Sequence, residues 1–370
     1  MNFEFATAGK IVFGCGMLAQ AAPAAAGFGR RALLVTGRNT ERARPLLDAL
    51  KKEGVESELF SVSGEPTVET ARQASAFSAD VVIGFGGGSV IDLAKAAAAL
   101  MANPGDPFDY LEVIGKGLPL KNRPAPCIAI PTTAGTGAEV TKNSVLASPE
   151  HKVKVSMRHP LMIPDLAIID PECTLSMPPA VTASTGLDAL TQLFEAFISK
   201  KANPMTDGFC REGLPRAVRS LRRAFENGDD LAAREGMALA SLFGGLALAN
   251  AGLGAVHGFA GPLGGMFSAP HGMVCAALLP HVMRANLAAM EDLSRLEEFA
   301  RMTGGATAQV GIDWLENLCR DLQVPSLASF GITEADFPAI IEKSKNSSSM
   351  KGNPIELADA ELAQVLEEAL

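Results

Sequence analysis

The sequence lacks any close pair of cysteines. Its six cysteines are spread over 370 residues without a Cys-x-x-Cys motif, which argues against a disulfide framework and predicts reduced, buried thiols in a reducing compartment. They are Cys15, Cys127, Cys173, Cys210, Cys275 and Cys319. The N-terminus also lacks a basic segment followed by an apolar run, so we expect no secretory signal. Together these absences predict a cytoplasmic protein.

The sequence also lacks a concentration of positive charge. It has 32 Lys and Arg against 41 Asp and Glu, a net charge of −9, and no dense basic block. This balance argues against nucleic acid and anionic membranes as partners and favours small molecules. Residues 236–283 contain no charged Asp, Glu, Lys or Arg, a run long enough to raise the possibility of a membrane span. Because histidines, glycines and prolines interrupt it, we interpret it as the buried helical core of a large domain.

Apolar runs alternate with helical patterns in the first half of the chain. The predicted strands are residues 11–13, 32–36, 58–60, 81–85, 127–130 and 166–169, and the predicted helices are 41–53, one that begins near 68, and 90–101. This alternation predicts an α/β domain with a parallel sheet and helices on both faces. After the prolines at 178–179, β-branched runs give way to long Ala- and Leu-rich helical patterns. We therefore predict an α/β domain of residues 1–176 and an all-helical domain of residues 177–370.

A glycine-rich turn, Gly-Gly-Gly-Ser at 86–89, separates the strand predicted at 81–85 from the helix at 90–101. Glycines let backbone amides approach an anion without hindrance from a Cβ atom, and the helix N-terminus adds unpaired N–H groups and a partial positive charge. A tight strand-to-helix turn would use the same residues. The turn also belongs to the third strand–helix unit of the alternating pattern and not to the first, so it is not the usual G-x-G-x-x-G fingerprint.

A second polar turn, at 131–139, follows another predicted strand and contains Thr132, Thr133 and Thr136. Hydroxyls and glycines at the carboxyl end of a parallel strand suit ribose and phosphate oxygens, because open α/β sheets bind ligands in the crevice there. The alternative is an ordinary turn whose threonines bond the local backbone. Two such turns in one sheet predict a nucleotide site.

A metal site is predicted in the helical half. Asp188 and Gln192 are four residues apart and share a helix face. His257 and His271 are 14 residues apart, which on one continuous helix is too far to share an ion. Glycines and prolines at 261–270 break that helix, so the imidazoles can converge. One carboxylate and two imidazoles suit Fe²⁺ or Zn²⁺ acting as a Lewis acid. The alternative is that each histidine is a satisfied core residue.

Taken together, these motifs resemble the iron-containing alcohol dehydrogenase family. The matching segments are residues 86–92, 131–139, 188–191, His257, 270–272 and 352–354. The resemblance follows the chain in order over nearly its whole length. It implies an N-terminal dinucleotide-binding domain and a helical metal domain.

The resemblance also implies roles for individual residues. It assigns the pyrophosphate to Gly87, Gly88, Ser89 and Asp92, and the ribose and nicotinamide to Thr132, Thr133, Thr136, Asn143 and Lys154. The implied metal ligands are Asp188, His257 and His271, which act in catalysis through the metal, and Lys154 is a further candidate catalytic residue.

The chain departs from the family pattern at two positions. Gln192 stands where the pattern has a fourth metal-binding histidine, and its neutral carbonyl oxygen would be a weaker ligand. Gly261 stands where the pattern has a further histidine that could relay protons. The related glycerol dehydrogenases lack both histidines and resemble a three-ligand zinc site, whereas the related maleylacetate reductases transfer hydride with little or no metal dependence.

We therefore predict an oxidoreductase that carries out metal-assisted, reversible hydride transfer between NAD(P)(H) and a small alcohol, aldehyde or ketone. The alternatives are a metal-independent carbonyl or enone reductase of the maleylacetate reductase type, a lyase resembling dehydroquinate synthase, and an inactive nucleotide-binding protein. Turnover measured with and without added metal separates them.

Two further expectations concern the cofactor and the assembly. NAD-selective enzymes commonly place an acidic residue after the strand that reaches the adenosine ribose, and here that place holds Gly37 and Arg38, so NADP(H) should be accepted at least as well as NAD(H). The short apolar segment 3–13 is marginal alone and should help to build a homodimer or larger homo-oligomer.

Overall fold

The computed structural model describes residues 2–151, 153–267 and 269–370, and the chain divides into two compact units. One unit is Thr7–Leu175, and the other is Ser176–Leu370 together with the first residues up to Ala6. The sequence prediction placed those first residues in the α/β domain. The structure groups them with the helices because the backbone N–H and carbonyl of Ala6 both hydrogen-bond to the Asn250 side chain, at 2.7 and 3.0 Å.

The α/β unit is built on a six-stranded sheet in the order β1-β8-β5-β4-β2-β3, with every pair parallel. A separate antiparallel hairpin, β6–β7, was not predicted. The strands are β1 (Lys10–Phe13), β2 (Arg31–Gly37), β3 (Glu56–Val62), β4 (Val81–Gly86), β5 (Cys127–Pro131), β6 (Asn143–Ser148), β7 (Val153–Arg158) and β8 (Leu166–Ile169).

Helices cover both faces of this sheet, as predicted. They are α1 (Ala21–Phe28), α2 (Arg44–Lys52), α3 (Val68–Ser75) and α4 (Gly88–Ala102). Side chains alternate along a strand, so Leu33 and Val35 of β2 pack into a core with α3 and α4. Ala32 and Leu34 point the other way and pack with α1 and α2. Residues 32–36 of β2 are all buried, and the apolar run from Ala32 to Val35 is the pattern of a parallel strand covered on both faces.

Strand order brings the two predicted ligand-binding turns together. Strands β4 and β5 are neighbours, and Gly86 at the end of β4 is in register with Pro131 at the end of β5. Because both strands run in the same direction, the turns that follow them leave the sheet at the same carboxyl edge. The amide of Thr132 donates to the carbonyl of Gly86 at 2.8 Å and ties the two turns together.

The second unit is helical, as predicted. Its helices are α5 (Pro179–Ile198), α6 (Pro204–Glu226), α7 (Leu231–Ala251), α8 (Ala255–Met266), α9 (His271–Ala289), α10 (Ser294–Met302), α11 (Ala308–Asp321), α12 (Phe337–Lys345) and α13 (Asp359–Ala369). Helix α5 packs against α6, α7 and α9. It is the central helix, with every side chain from Gly186 to Ile198 buried.

The charge-free segment 236–283 forms most of α7, all of α8 and the first part of α9. Among the described residues, α7 and α9 are long and apolar enough to cross a membrane, but 67% and 61% of their apolar windows are buried inside the protein, which is also typical of core helices. The breaks predicted at 261–265 were wrong, because α8 continues through Pro262 to Met266. Glycine and proline weaken a helix but do not end one whose other face is buried. Helix α8 ends at Met266, and Pro270 directly precedes α9.

Candidate functional site

The candidate metal centre begins on one face of α5. Asp188, Gln192 and Glu195 follow one another at helical spacings of four and three residues, so they project on the same side. All three are buried. Two ionisable carboxyl groups inside an apolar helical core require partners, because an isolated buried charge is strongly destabilising.

Glu195 finds its partners at the start of α8. Its carboxylate accepts the backbone N–H of Val256 at 2.7 Å, where the first turn of the helix has unpaired donors and a partial positive charge. It also lies 2.6 Å from Nδ1 of His257. Because a carboxylate only accepts, Nδ1 carries the hydrogen and Nε2 is the nitrogen that can bind a metal. That Nε2 lies 3.2 Å from Oδ1 of Asp188.

His271 and Cys275 reach the same point from α9. They are four residues apart in the first turns of the helix and therefore share a face. Nε2 of His271 lies 3.9 Å from Oδ1 of Asp188, and Sγ of Cys275 lies 3.7 Å from the same nitrogen. The approach of α9 to α5 depends on Gly272, because a Cβ atom there would lie 2.1 Å from the carbonyl oxygen of Ser184.

These side chains fit a divalent metal ion. One ligand atom from each of Asp188, His257, His271 and Cys275 lies within 4.8 Å of the others. Ligand atoms at about 2.0–2.3 Å from one tetrahedral ion lie roughly 3.3–3.8 Å apart, close to the separations seen here. The donor set of one oxygen, two nitrogens and one sulfur is one that Zn²⁺ and Fe²⁺ accept. The three predicted ligands are thus brought together.

Gln192, the candidate fourth ligand, makes a different contact. Its amide nitrogen donates to Oδ2 of Asp188 at 3.0 Å. Its carbonyl oxygen is buried without a hydrogen-bond partner and lies next to Gly244. The amide therefore holds Asp188 with its other oxygen, Oδ1, toward the histidines.

Oppositely charged groups in this cluster favour one another's charged forms. Burial disfavours ionisation of Asp188, but the hydrogen bond from His257 and the charge of His271 outweigh burial and lower the pKa of the carboxyl. Burial likewise opposes the charge on His257, but Cys275 and Glu195 raise its pKa well above the usual value. Cys275 also raises the pKa of His271, and both imidazoles lower the pKa of the Cys275 thiol against the effect of burial. A divalent cation would replace the protons that the imidazoles hold among these anionic groups.

In the α/β unit, a cavity of about 200 Å³ lies at the carboxyl edge of the sheet. It is lined by Thr36, Gly37, Arg38, Asn39, Arg42, Phe85, Gly86, Gly87, Thr132 and Thr133. The two predicted turns are in contact: a Cβ atom on Gly87 would lie 3.4 Å from Thr133, and one on Gly88 would lie 2.6 Å from Thr136. Gly87 precedes α4, so the first N–H groups of that helix open at this edge.

Asp92 has partners within the protein. Its Oδ2 accepts the backbone N–H of Val145 at 3.0 Å, and its Oδ1 pairs with Lys95 at 2.9 Å. Burial raises the pKa of its carboxyl, against the effect of Lys95. The ammonium of Lys95, which is itself buried, also donates to the carbonyls of Ala138 and Asn143. These contacts attach α4 to the second turn and to β6.

The structure separates Asn143 from Lys154. They lie on the two strands of the hairpin, but Lys154 is in register with Ala147, four residues further along β6. Four strand residues span roughly 13 Å. The ammonium of Lys154 pairs with Glu65 at 3.2 Å.

Sequence reasoning assigned no role to Glu195 or Cys275. Each had a signal in the sequence: Glu195 is seven residues after Asp188, and Cys275 is four residues after His271, so each shares a helix face with a predicted ligand. The signal at Cys275 depends on α9 beginning at His271, and sequence reasoning did not predict that start.

A parallel sheet with an anion-binding edge, together with helices that gather metal ligands, defines a metal-dependent dehydrogenase architecture. The comparisons with known proteins agree. The iron-containing alcohol dehydrogenase family model matches residues 8–171, and the model of the C-terminal region of Fe-containing alcohol dehydrogenases matches residues 182–370. The chain therefore belongs to the iron-containing alcohol dehydrogenase family, and it is an oxidoreductase.

Individual relatives cover most of the chain. A long-chain-alcohol dehydrogenase of Geobacillus thermodenitrificans is 38% identical over 86% of this chain and 84% of its own length. A 1,3-propanediol dehydrogenase of Klebsiella pneumoniae is 36% identical over 92% of both chains. The solved structure of a 1,3-propanediol oxidoreductase is 33% identical, covers 100% of both chains and superposes with a TM-score of 0.94.

Replacing Glu195 tests whether it positions His257. The Glu195→Gln variant should bind Zn²⁺ about 10–100-fold more weakly, because it no longer fixes the imidazole through an ionised hydrogen bond. Competition with a chromophoric chelator measures the affinity.

The matched control is Asp207→Asn, which removes another buried carboxylate of the same unit, one that pairs with Arg295 at 2.6 Å. Its zinc affinity should equal that of the unmodified protein. Equal affinity in Glu195→Gln would contradict the positioning role.

Proposed function

We propose that the protein catalyses reversible hydride transfer between a nicotinamide dinucleotide and a small alcohol, aldehyde or ketone, assisted by one divalent ion, Fe²⁺ or Zn²⁺. The observation that carries this proposal is the convergence of Asp188, His257 and His271 with Cys275. The bound ion supplies Lewis-acid polarisation of the substrate oxygen, and the nicotinamide supplies or accepts the hydride.

Side chains around the candidate metal ligands hold them in position for this reaction. Asp188 presents one oxygen to the cluster while Gln192 holds the other. Glu195 fixes the ring of His257 so that Nε2 faces the ligands. Gly261 is exposed, and a Cβ atom there would meet nothing within 4 Å, so we propose that water takes the place of a side-chain proton relay.

We propose that the dinucleotide binds at the carboxyl edge of the sheet. The cavity there and the first N–H groups of α4 support this assignment. The proposed cofactor-binding residues are Gly37, Arg38, Gly87, Gly88, Ser89, Asp92, Thr132, Thr133, Thr136, Asn143 and Lys154. Of these, Asp92 would act by holding α4 in place, because its carboxylate is engaged with Val145 and Lys95.

The relatives support alcohols and carbonyl compounds as substrates. Their names include long-chain-alcohol, 1,3-propanediol and choline dehydrogenases, and a 30% identical solved structure is a sulfoacetaldehyde reductase in complex with NAD⁺. We propose a small alcohol or carbonyl substrate for this chain. The metal-independent reductase and the lyase are not favoured.

Metal-dependent turnover is the decisive test of this function. The unmodified protein loaded with Zn²⁺ or Fe²⁺ should oxidise members of an alcohol panel with formation of reduced nicotinamide, and chelation should abolish the activity. The Asp188→Asn variant should lose both stoichiometric metal and turnover, by at least about 100-fold, because its neutral amide is a poor ligand.

Asp207→Asn again serves as the control and should retain metal and turnover. Full activity without metal would indicate a metal-independent reductase. Product formation without net change in nicotinamide would indicate a lyase, and both results would contradict the proposal.

We propose that NADP(H) is accepted at least as well as NAD(H). Gly37 and Arg38 line the cavity at the end of β2, together with Arg42, and no carboxylate is among the lining residues. An arginine can pair with the 2′-phosphate of NADP(H). A Cβ atom on Gly37 would meet nothing within 4 Å, so a larger residue fits there without steric strain.

The Gly37→Asp variant should shift the ratio of kcat/KM toward NADH by at least about tenfold, because the added carboxylate repels the 2′-phosphate by up to a few kcal/mol. Arg38→Ala should lower kcat/KM for NADPH and leave that for NADH nearly unchanged. A preference for NADH above about tenfold in the unmodified protein would contradict this interpretation.

We propose that the protein acts in the cytoplasm as a homodimer or larger homo-oligomer. Strand β1 pairs with β8 and forms one edge of the six-stranded sheet, so its other side has no strand partner within the described part of the chain. Phe3, which precedes it, is 47% exposed. An open strand edge and an exposed apolar side chain are each common sites of association.

Light scattering at micromolar concentration should give at least twice the mass of the chain. Phe3→Asp should weaken the assembly, whereas Phe28→Asp, which changes another exposed phenylalanine, should not. A monomeric mass for the unmodified protein would contradict the proposed assembly.

A further inference from the structure

Cys275 differs from the other five cysteines in its surroundings. It is buried on α9, one helical turn after His271, and it belongs to the cluster that includes Asp188 and His257. Its sulfur lies 3.7 Å from Nε2 of His271, which is a separation expected for two ligands of one ion.

The cluster has a place for a fourth ligand that Gln192 does not fill. The amide nitrogen of Gln192 faces Asp188, and its carbonyl oxygen lies beside Gly244. To bind the metal, the carbonyl oxygen of Gln192 would have to face the histidines. Instead, the amide nitrogen of Gln192 donates to the carboxylate of Asp188. Among the described residues, Sγ of Cys275 lies within 4.8 Å of a ligand atom on each of Asp188, His257 and His271.

We propose that Cys275 is a thiolate ligand of the metal and completes a set of one oxygen, two nitrogens and one sulfur. The inference rests on the proposed metal-dependent function and specifies the coordination at that site. On binding, the thiol loses its proton to solvent and the sulfur lone pair forms the bond to the metal.

A sulfur ligand changes which metals the site prefers. Thiolate is a soft donor that favours Zn²⁺ over hard ions such as Mg²⁺ and Mn²⁺. The inferred set therefore predicts tight Zn²⁺ binding and poor retention of Mn²⁺, a preference that an all-oxygen and nitrogen set would show less strongly.

X-ray absorption at the zinc edge of the unmodified, zinc-loaded protein tests this directly. We expect one sulfur scatterer at about 2.3 Å in addition to nitrogen and oxygen scatterers at about 2.0–2.2 Å. In Cys275→Ser the sulfur shell should disappear, and zinc affinity should fall by more than about 100-fold, beyond the effect of losing an outer-shell partner.

The matched control is Cys210→Ala, which removes another fully buried cysteine of the helical unit, one on α6. It should keep the sulfur shell and the affinity. If Cys275→Ser does not fold, the spectrum of the unmodified protein still tests the inference: the absence of a sulfur shell would overturn it, and its presence would support it, because Cys275 is the cysteine of the cluster in the described part of the chain.

The outcomes separate this inference from the proposed function. Stoichiometric zinc with only nitrogen and oxygen scatterers would overturn the role of Cys275 and leave the metal-dependent function intact. A sulfur shell that persists in Cys275→Ser would also overturn it. Failure to bind either Zn²⁺ or Fe²⁺ in stoichiometric amount would overturn both.

Discussion

The helical unit depends on the burial of two carboxylates on one helix. Asp188 and Glu195 lie in the centre of α5, where an unpartnered charge would cost several kcal/mol. Glu195 is stabilised by backbone N–H groups at the start of α8 and by His257. The start of α8 is thereby fixed above α5, and His257 is carried to the carboxylate of Asp188. The same electrostatic requirement that stabilises the core therefore assembles the metal ligands.

Helix α9 reaches the cluster of candidate metal ligands because its backbone can approach the backbone of α5 closely. Gly272 allows α9 to come within contact of the Ser184 carbonyl, which any larger residue would prevent. Asn353 supports this arrangement from the C-terminal segment, since its side chain accepts the N–H of Ala255 and exchanges hydrogen bonds with Asn286 of α9. One polar side chain thus links the helices that carry the two histidines.

Sequence reasoning predicted the parallel sheet, the helical second unit and the two turns that follow β4 and β5, because each rests on a local pattern of apolar runs and glycines. It did not predict the β6–β7 hairpin, whose buried face carries Ser144 and Ser148 beside Leu146, so its alternation is hidden by polar residues. It also assigned no role to Cys275, because a buried thiol has the pattern of a small apolar residue. Only the start of α9 at His271 shows that Cys275 shares a helix face with that histidine. Contacts between distant segments, such as that between Glu195 and α8, have no local signature.

The ligands proposed for the two units have opposite charges, and each unit offers different groups to bind them. In the α/β unit, the N–H groups of α4, the hydroxyls and the arginines of the cavity would match the proposed anionic dinucleotide, and the carboxylate of Asp92 is paired with Lys95. In the helical unit, Asp188, the two imidazoles and the thiol of Cys275 would match the proposed cation. The neutral amide of Gln192 orients the carboxylate of Asp188, and Cys275 is the additional donor that we propose. Gln192 therefore provides a neutral hydrogen bond, whereas Cys275 is the proposed anionic ligand.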